Sequence, residues 1–249
     1  MTLLITPITK KACDIQLFCF PHAGGGASTY HSWSKLAPEW LEISAVQLPG
    51  HETRLCEPLV NHWPTLVNNI SEQLNTHITK PFAFFGHSMG ALIALEVARD
   101  LSLKGKSTPY CLFFSGRNSP TAQSPLPHIS HEPDDSFLDK ISQRYGMLPN
   151  EVMIHKELRD IFLPILRNDI SLVENYNHKT EVQLHIPLFI YYGNEDRLIS
   201  KEMLADWQDI TQGRVTQREF PDGHFYLETQ REHVLNNLFT DLFASIPPI

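Results

Sequence analysis

The most constraining stretch of the chain is residues 82–103, where an aromatic run meets a glycine-bracketed serine and then an Ala- and Leu-rich segment. Pro81–Phe85 has the composition of a buried strand. Gly86-His-Ser-Met-Gly90 follows directly, and Ala91–Leu103 reads as a helix buried on most of its surface. A strand that passes into a helix through G-x-S-x-G holds its serine on a strained turn, with the hydroxyl pushed out of the chain path. Side chains two residues to either side would collide with neighbouring backbone, which is why both positions are glycine. The helix that follows offers its first amides to a developing negative charge. Ser88 is therefore the candidate nucleophile.

The rest of the chain supplies a sheet for this turn. Ile15–Phe20, Ile43–Leu48, Tyr110–Ser115, Pro187–Tyr192 and Val215–Phe220 also read as strands. Trp63–Ile78 carries Leu66, Val67, Ile70 and Leu74 at helical spacing, and Trp33–Leu36 and His233–Phe243 read as further helices. Strands alternating with helices predict an α/β fold with a mainly parallel, doubly wound sheet. The alternation lapses between Gly116 and about Thr180, a span too long to stay structureless in a compact domain. After a Pro- and Ser-rich loop, Asn118–Pro133, helical spacing returns in Phe137–Tyr145 and at Leu158, Ile161, Phe162, Ile165 and Leu166. Pro164 is expected to kink or divide the second stretch. Residues 1–116 and 181–249 should then form one core, and residues 117–180 a helical lid whose five apolar residues line an acyl pocket.

A serine nucleophile needs a base, and the base an orienting acid. On this architecture they follow in the order Ser, Asp or Glu, His. Of the 13 histidines, His224 lies near the C-terminus in a loop after a strand, Arg218-Glu-Phe-Pro-Asp-Gly-His224. The loop after Leu188–Tyr192 reads Gly193-Asn-Glu-Asp-Arg197 and offers Asp196, at the usual reach from the strand end, with Glu195 as its rival. Asp222 sits too near His224 and is expected to bond its own turn. Pro21-His-Ala-Gly-Gly-Gly26 should supply one oxyanion donor, and the amide of Met89 the other. No Gly-Lys-Ser/Thr follows the glycines, so they are not a phosphate loop. No histidine or cysteine cluster has metal-ligand spacing, and acyl transfer through Ser88 calls for neither metal nor cofactor.

The formal charge of −8 argues against a general role with nucleic acid or anionic membranes. The first residues lack a cationic region running into an apolar one, and no apolar stretch approaches a membrane span. Cys13, Cys19, Cys56 and Cys111 are scattered and form no CxxC pair. They read as reduced thiols of a cytoplasmic, monomeric protein.

Taken together, these motifs resemble the type II thioesterases associated with nonribosomal peptide and polyketide synthases, a family that includes medium-chain fatty acyl thioesterases. Phe20-Pro-His-Ala-Gly-Gly-Gly26 is similar to the family's oxyanion loop, which implies that the donor amide is that of Ala23. Gln47-Leu-Pro-Gly-His-Glu-Thr-Arg54 is similar to its Pro-Gly…Arg segment, with His51 where an Arg is common. Gly86–Gly90 is the form of the nucleophile motif the family favours, and Phe114-Ser-Gly-Arg117 and Asp222-Gly-His-Phe-Tyr-Leu227 complete the set. The resemblance spans nearly the whole chain. It implies the α/β-hydrolase fold and hydrolysis of acyl thioesters from the phosphopantetheine arm of carrier proteins, clearing stalled or misprimed chains. Two other readings stand beside it: a general carboxylesterase or lipase on the same fold, and an inactive hydrolase fold kept as a binding protein.

Overall fold

The computed structural model describes residues 3–5, 9–10, 13–122, 126–146, 152, 154–178 and 183–246. The expected lid, 117–180, is thus seen in part, with 123–125, 147–151, 153, 179 and 180 outside the described residues. One sheet carries β1 (Leu4–Ile5), β2 (Ile15–Phe20), β3 (Leu41–Val46), β4 (Phe82–His87), β5 (Leu112–Ser115), β6 (Leu188–Gly193) and β7 (Val215–Phe220). Their spatial order is β1-β3-β2-β4-β5-β6-β7. Only β1, too short to show in the sequence, runs antiparallel.

The residues explain the layering. Strands β2 to β6 are buried along their whole length, because helices cover both faces and no position can be polar by default. Alternate side chains of one strand then enter different cores. Phe18, Phe20, Phe84 and Phe114 pack with α2 (Trp63–Asn75) and α3 (Met89–Leu103). Leu17, Cys19, Phe85 and Phe113 pack instead with Trp33 of α1 (His31–Leu36) and with the C-terminal helix. Edge strand β7 has one neighbour, and most of its side chains stay partly or fully in water.

Strand order reverses at β2, which lies between β3 and β4. At such a switch point the loops leaving two adjacent strands diverge and open a crevice at their carboxyl ends. Here those loops are Pro21–Gly26 and the Ser88 turn, side by side because Phe20 is in register with Gly86.

Between β5 and β6 lie α4 (Asp134–Tyr145) and α5 (Lys156–Glu174). They share a hydrophobic cluster of their own, Ile129, Phe137, Leu138, Ile141, Leu163, Leu166 and Ile170, with Ala23 of the core packed against it. Of the two expected outcomes, division does not occur: α5 runs on through Pro164. A mid-helix proline costs one hydrogen bond and about 3 kcal/mol. Pro164 faces solvent, so water can satisfy the released carbonyl, while Leu163, Ile165 and Leu166 pin the helix on its buried side. The short helix α6 (Lys201–Ala205) lies between β6 and β7, and the short α7 (Tyr226–Thr229) and the longer α8 (Arg231–Ser245) follow β7. All four cysteines are free thiols. No helix among the described residues is long and apolar enough to cross a membrane.

Candidate active site

The turn at Ser88 has the strained backbone its sequence requires. Ser88 sits at φ 55° and ψ −111°, a left-handed region that costs a residue with a side chain of order 1–3 kcal/mol. Two contacts keep the turn closed: the Ser88 amide donates to the Ser115 carbonyl at 2.8 Å, and the Ala91 amide to the Ser88 carbonyl at 3.2 Å. A Cβ on Gly86 would run into the Gly90 carbonyl, and one on Gly90 into the carbonyl of Phe20. Both glycines are thus required by contact, one within the turn and one between the turn and β2.

Asp196 and His224 leave the ends of β6 and β7, which pair in parallel. His224 Nδ1 lies 2.7 Å from Asp196 Oδ2, with both side chains almost fully buried. The other carboxylate oxygen of Asp196 accepts from the Leu198 amide at 3.0 Å. His224 Nε2 is buried and without a hydrogen-bond partner, and His224 and Ser88 line the same hollow. Glu195 is exposed, and its backbone rather than its carboxylate is engaged, donating to the Asp222 carbonyl. Asp222 accepts from the Gly223 amide and the Thr229 hydroxyl, both at 2.6 Å, and so closes its own turn. The bond from Thr229 leads the influences that hold its carboxyl below the usual range. The structure therefore brings Ser88, Asp196 and His224 together and leaves Glu195 and Asp222 outside.

Neither the Ala23 nor the Met89 amide meets an acceptor among the described residues. Met89 opens α3, where an unpaired amide is the rule. Two free donors therefore lie on the two loops that bracket Ser88.

Two further imidazoles line the region and were not singled out from the sequence. His87 donates or accepts through Nδ1 to the Ser115 hydroxyl at 2.9 Å, and that hydroxyl meets Tyr226 OH at 2.5 Å. Its ring lies 4.9 Å from that of His224. Burial, then the neighbouring His224 and His22, push the His87 pKa well below that of a free imidazole. Burial and His224 likewise bring His22 to about 4. Both rings are uncharged at neutral pH, so they wall the site without placing a fixed cation beside the base.

Two hollows meet at Ser88. The smaller, about 180 Å³, is apolar and formed by Ala23, Ile141, Tyr145, Phe162, Leu166 and Ile170. The larger, about 600 Å³, is more polar and includes Arg117, Asn118, Glu174, Tyr176, Leu198 and Met203. The sequence-based lining is corrected in part. Phe162 and Leu166 face the small hollow, but Leu158 and Ile161 are half exposed and, with Ile165, border a separate groove beside Leu55. Helical spacing marks the apolar stripe of α5 but not which part of it meets the core. Ile141 and Tyr145 of α4 take the missing places.

Comparison with known proteins decides the family. A thioesterase domain model matches residues 15–242. The chain belongs to the thioesterase family. This thioesterase is 32% identical over 239 residues to the gramicidin S biosynthesis protein GrsT of Aneurinibacillus migulanus, covering 96% of this chain and 93% of that one. Among solved structures it is similar to ClbQ from the colibactin NRPS/PKS pathway, with a TM-score of 0.88, 29% identity, and 93% and 98% of the two chains covered. It is also similar to the type II thioesterase BorB from the borrelidin biosynthetic cluster, with a TM-score of 0.87, 29% identity, and 96% and 97% covered. The thioesterase has the α/β-hydrolase fold of these neighbours.

Proposed function

We propose that this thioesterase removes acyl groups from the phosphopantetheine arm of carrier proteins in a nonribosomal peptide or polyketide assembly line. Three similar proteins carry names or titles from such pathways: gramicidin S, colibactin and borrelidin. The single observation that carries the chemistry is His224, with Nδ1 fixed on Asp196 and Nε2 unbonded above the hollow of Ser88.

On this reading Ser88 Oγ attacks the thioester carbonyl and gives its proton to His224 Nε2. The oxyanion is received by the amides of Ala23 and Met89. Collapse breaks the carbon–sulfur bond, and the leaving thiolate takes the proton from His224. Water then repeats the sequence on the acyl-enzyme and releases the acid. Asp196 holds the imidazole tautomer throughout. The reaction draws on no metal or cofactor of the enzyme's own.

The acyl group occupies the small apolar hollow and the pantetheine arm the larger one. In this reading the 117–180 insertion serves as the lid, supported by Tyr145, Phe162, Leu166 and Ile170, which line the hollow that contains Ser88. Tyr145 packs edge-on against His224 with ring centroids 5.1 Å apart, so the lid also touches the base. The functional test compares an acyl-pantetheinyl carrier protein with an oxygen ester of the same acyl group. A clear preference for the carrier-bound thioester is expected, and equal rates would favour a general esterase.

Net charge −8 opposes encounter with an acidic carrier unless a local cationic patch offsets it. Five cations lie in or beside the lid, and the structure divides them. Arg159 pairs with Asp135, and Arg167 with Asp134, so these two tie α5 to α4. Arg144 donates to the Pro127 carbonyl, and Arg117 and Lys156 have no ion-pair partner among the described residues. Reversing Arg144 and Lys156 to Glu should raise KM for an acyl-carrier protein several-fold and leave a small acyl thioester nearly unaffected. Equal loss on both substrates, or on neither, would place the docking surface elsewhere.

A further inference from the structure

Asp169 projects from α5 into the core and is 1% exposed. One of its oxygens, Oδ2, accepts two hydrogen bonds, from the Gly24 amide at 2.8 Å and from His51 Nε2 at 2.9 Å. The Asn168 side-chain amide approaches the other oxygen at 3.3 Å. His51 is equally buried, and its Nδ1 lies 2.9 Å from the Pro49 carbonyl. A neutral imidazole has one N–H to give. Here both ring nitrogens face acceptors, a carbonyl and a carboxylate, an arrangement that a doubly protonated ring satisfies and a neutral one does not.

The segment that holds His51 also braces the glycine loop. Gln47 accepts from the Ala27 amide at 3.0 Å and donates to the His51 carbonyl at 3.0 Å. Glu52 accepts from the Ser28 amide at 3.2 Å and the Ser28 hydroxyl at 2.5 Å. Gly24 itself sits at φ 74°, with Phe162 and Leu166 of α5 directly against it. The loop that presents the Ala23 amide is therefore held on one side by residues 47–52 and on the other by the lid helix.

We propose that Asp169 is a positioning residue: by fixing the Gly24 peptide it aligns the adjoining Ala23 amide for the oxyanion, and protonated His51 keeps Asp169 in that pose. The donor is then in register only while α5 is docked, so the lid's position sets the competence of the oxyanion site. This inference rests on the proposed role of Ala23. A donor displaced by a fraction of an ångström still binds substrate but stabilises the transition state less, so the effect falls on kcat.

The pair also gives the site a pH dependence of stated sign. Burial pulls the His51 pKa down most strongly. The hydrogen bond and charge of Asp169 from α5, the Pro49 carbonyl and the charge of Glu52 more than offset it, so the pKa is raised. The stabilisation is complete below the unfolded value of about 6.5 and is lost as pH rises through the folded one.

The test measures kcat and KM across pH for wild type, Asp169→Asn, His51→Arg and His51→Gln on a small acyl-pantetheine thioester. Asp169→Asn should lower kcat by roughly 10- to 100-fold with KM nearly unchanged, and should move the alkaline decline of kcat to lower pH. His51→Arg, charged at every pH tested, should remove that decline, and His51→Gln should be slow throughout. A folded Asp169→Asn enzyme with wild-type kcat and wild-type pH profile, altered only in thermal stability, would overturn the inference, whether or not His51→Arg folds. A wild-type chain inactive on the thioester would instead end the functional reading beneath it.

Discussion

Ser88→Ala should fold normally, lose acyl-enzyme formation and fall in kcat by about 10⁴- to 10⁶-fold. The fold should survive because the turn is held by backbone hydrogen bonds, from the Ser88 amide to the Ser115 carbonyl and from the Ala91 amide to the Ser88 carbonyl, which alanine keeps. What is lost is the hydroxyl that shares its hollow with the unbonded Nε2 of His224. Intact-protein mass measurement after treatment with a fluorophosphonate gives the readout. Wild type should gain one probe adduct and the variant none. A variant that labels, or that turns over near the wild-type rate, would place the nucleophile elsewhere.

Asp196→Asn should lower kcat by about 10⁴ with little change in folding. Oδ1 already receives the Leu198 amide, so an asparagine keeps its carbonyl there and turns its NH₂ toward His224. The imidazole must then accept at Nδ1 and carry its proton on Nε2, facing Ser88 as a donor when a base is needed. Glu195→Gln should be nearly silent, since that carboxylate stands in solvent. Nitrogen NMR of labelled histidine would report the tautomer directly. A severe Glu195→Gln beside a mild Asp196→Asn would show that the loop rearranges in the working enzyme.

What the sequence revealed and what it hid divide along a physical line. The Ser88 turn was legible because strand, glycines and helix are contiguous, and the exclusion at Gly86, against the Gly90 carbonyl, acts within five residues. The chain order of acid and base located two loops, and reach from the strand end favoured Asp196 over the adjacent Glu195 without giving a physical cause. That choice is made by the turn at Gly193, where the Asp196 amide closes onto the Gly193 carbonyl at 3.2 Å and Glu195 is left outside. Helical period drew the stripe on α5 but not its neighbour, so Leu158 and Ile161 were assigned to a pocket they do not reach. His22 and His87 stood in plain view inside two motifs, yet no local pattern tells whether an imidazole turns inward. The link from Asp169 to His51 and Gly24 spans separations of 118 and 145 residues and left no local trace at all.

The unequal hollows at Ser88 also bear on how the acyl-enzyme ends. An acyl chain seated in some 180 Å³ of apolar space has little room to double back and bring its own far end to the ester carbon. The polar hollow beside it, vacated when the pantetheine thiol departs, is the natural reservoir for the second nucleophile. On the proposed seating, solvent would enter by the route the thiol took, so release as a linear acid is expected over ring closure, with a lingering thiol competing with water for the same ester.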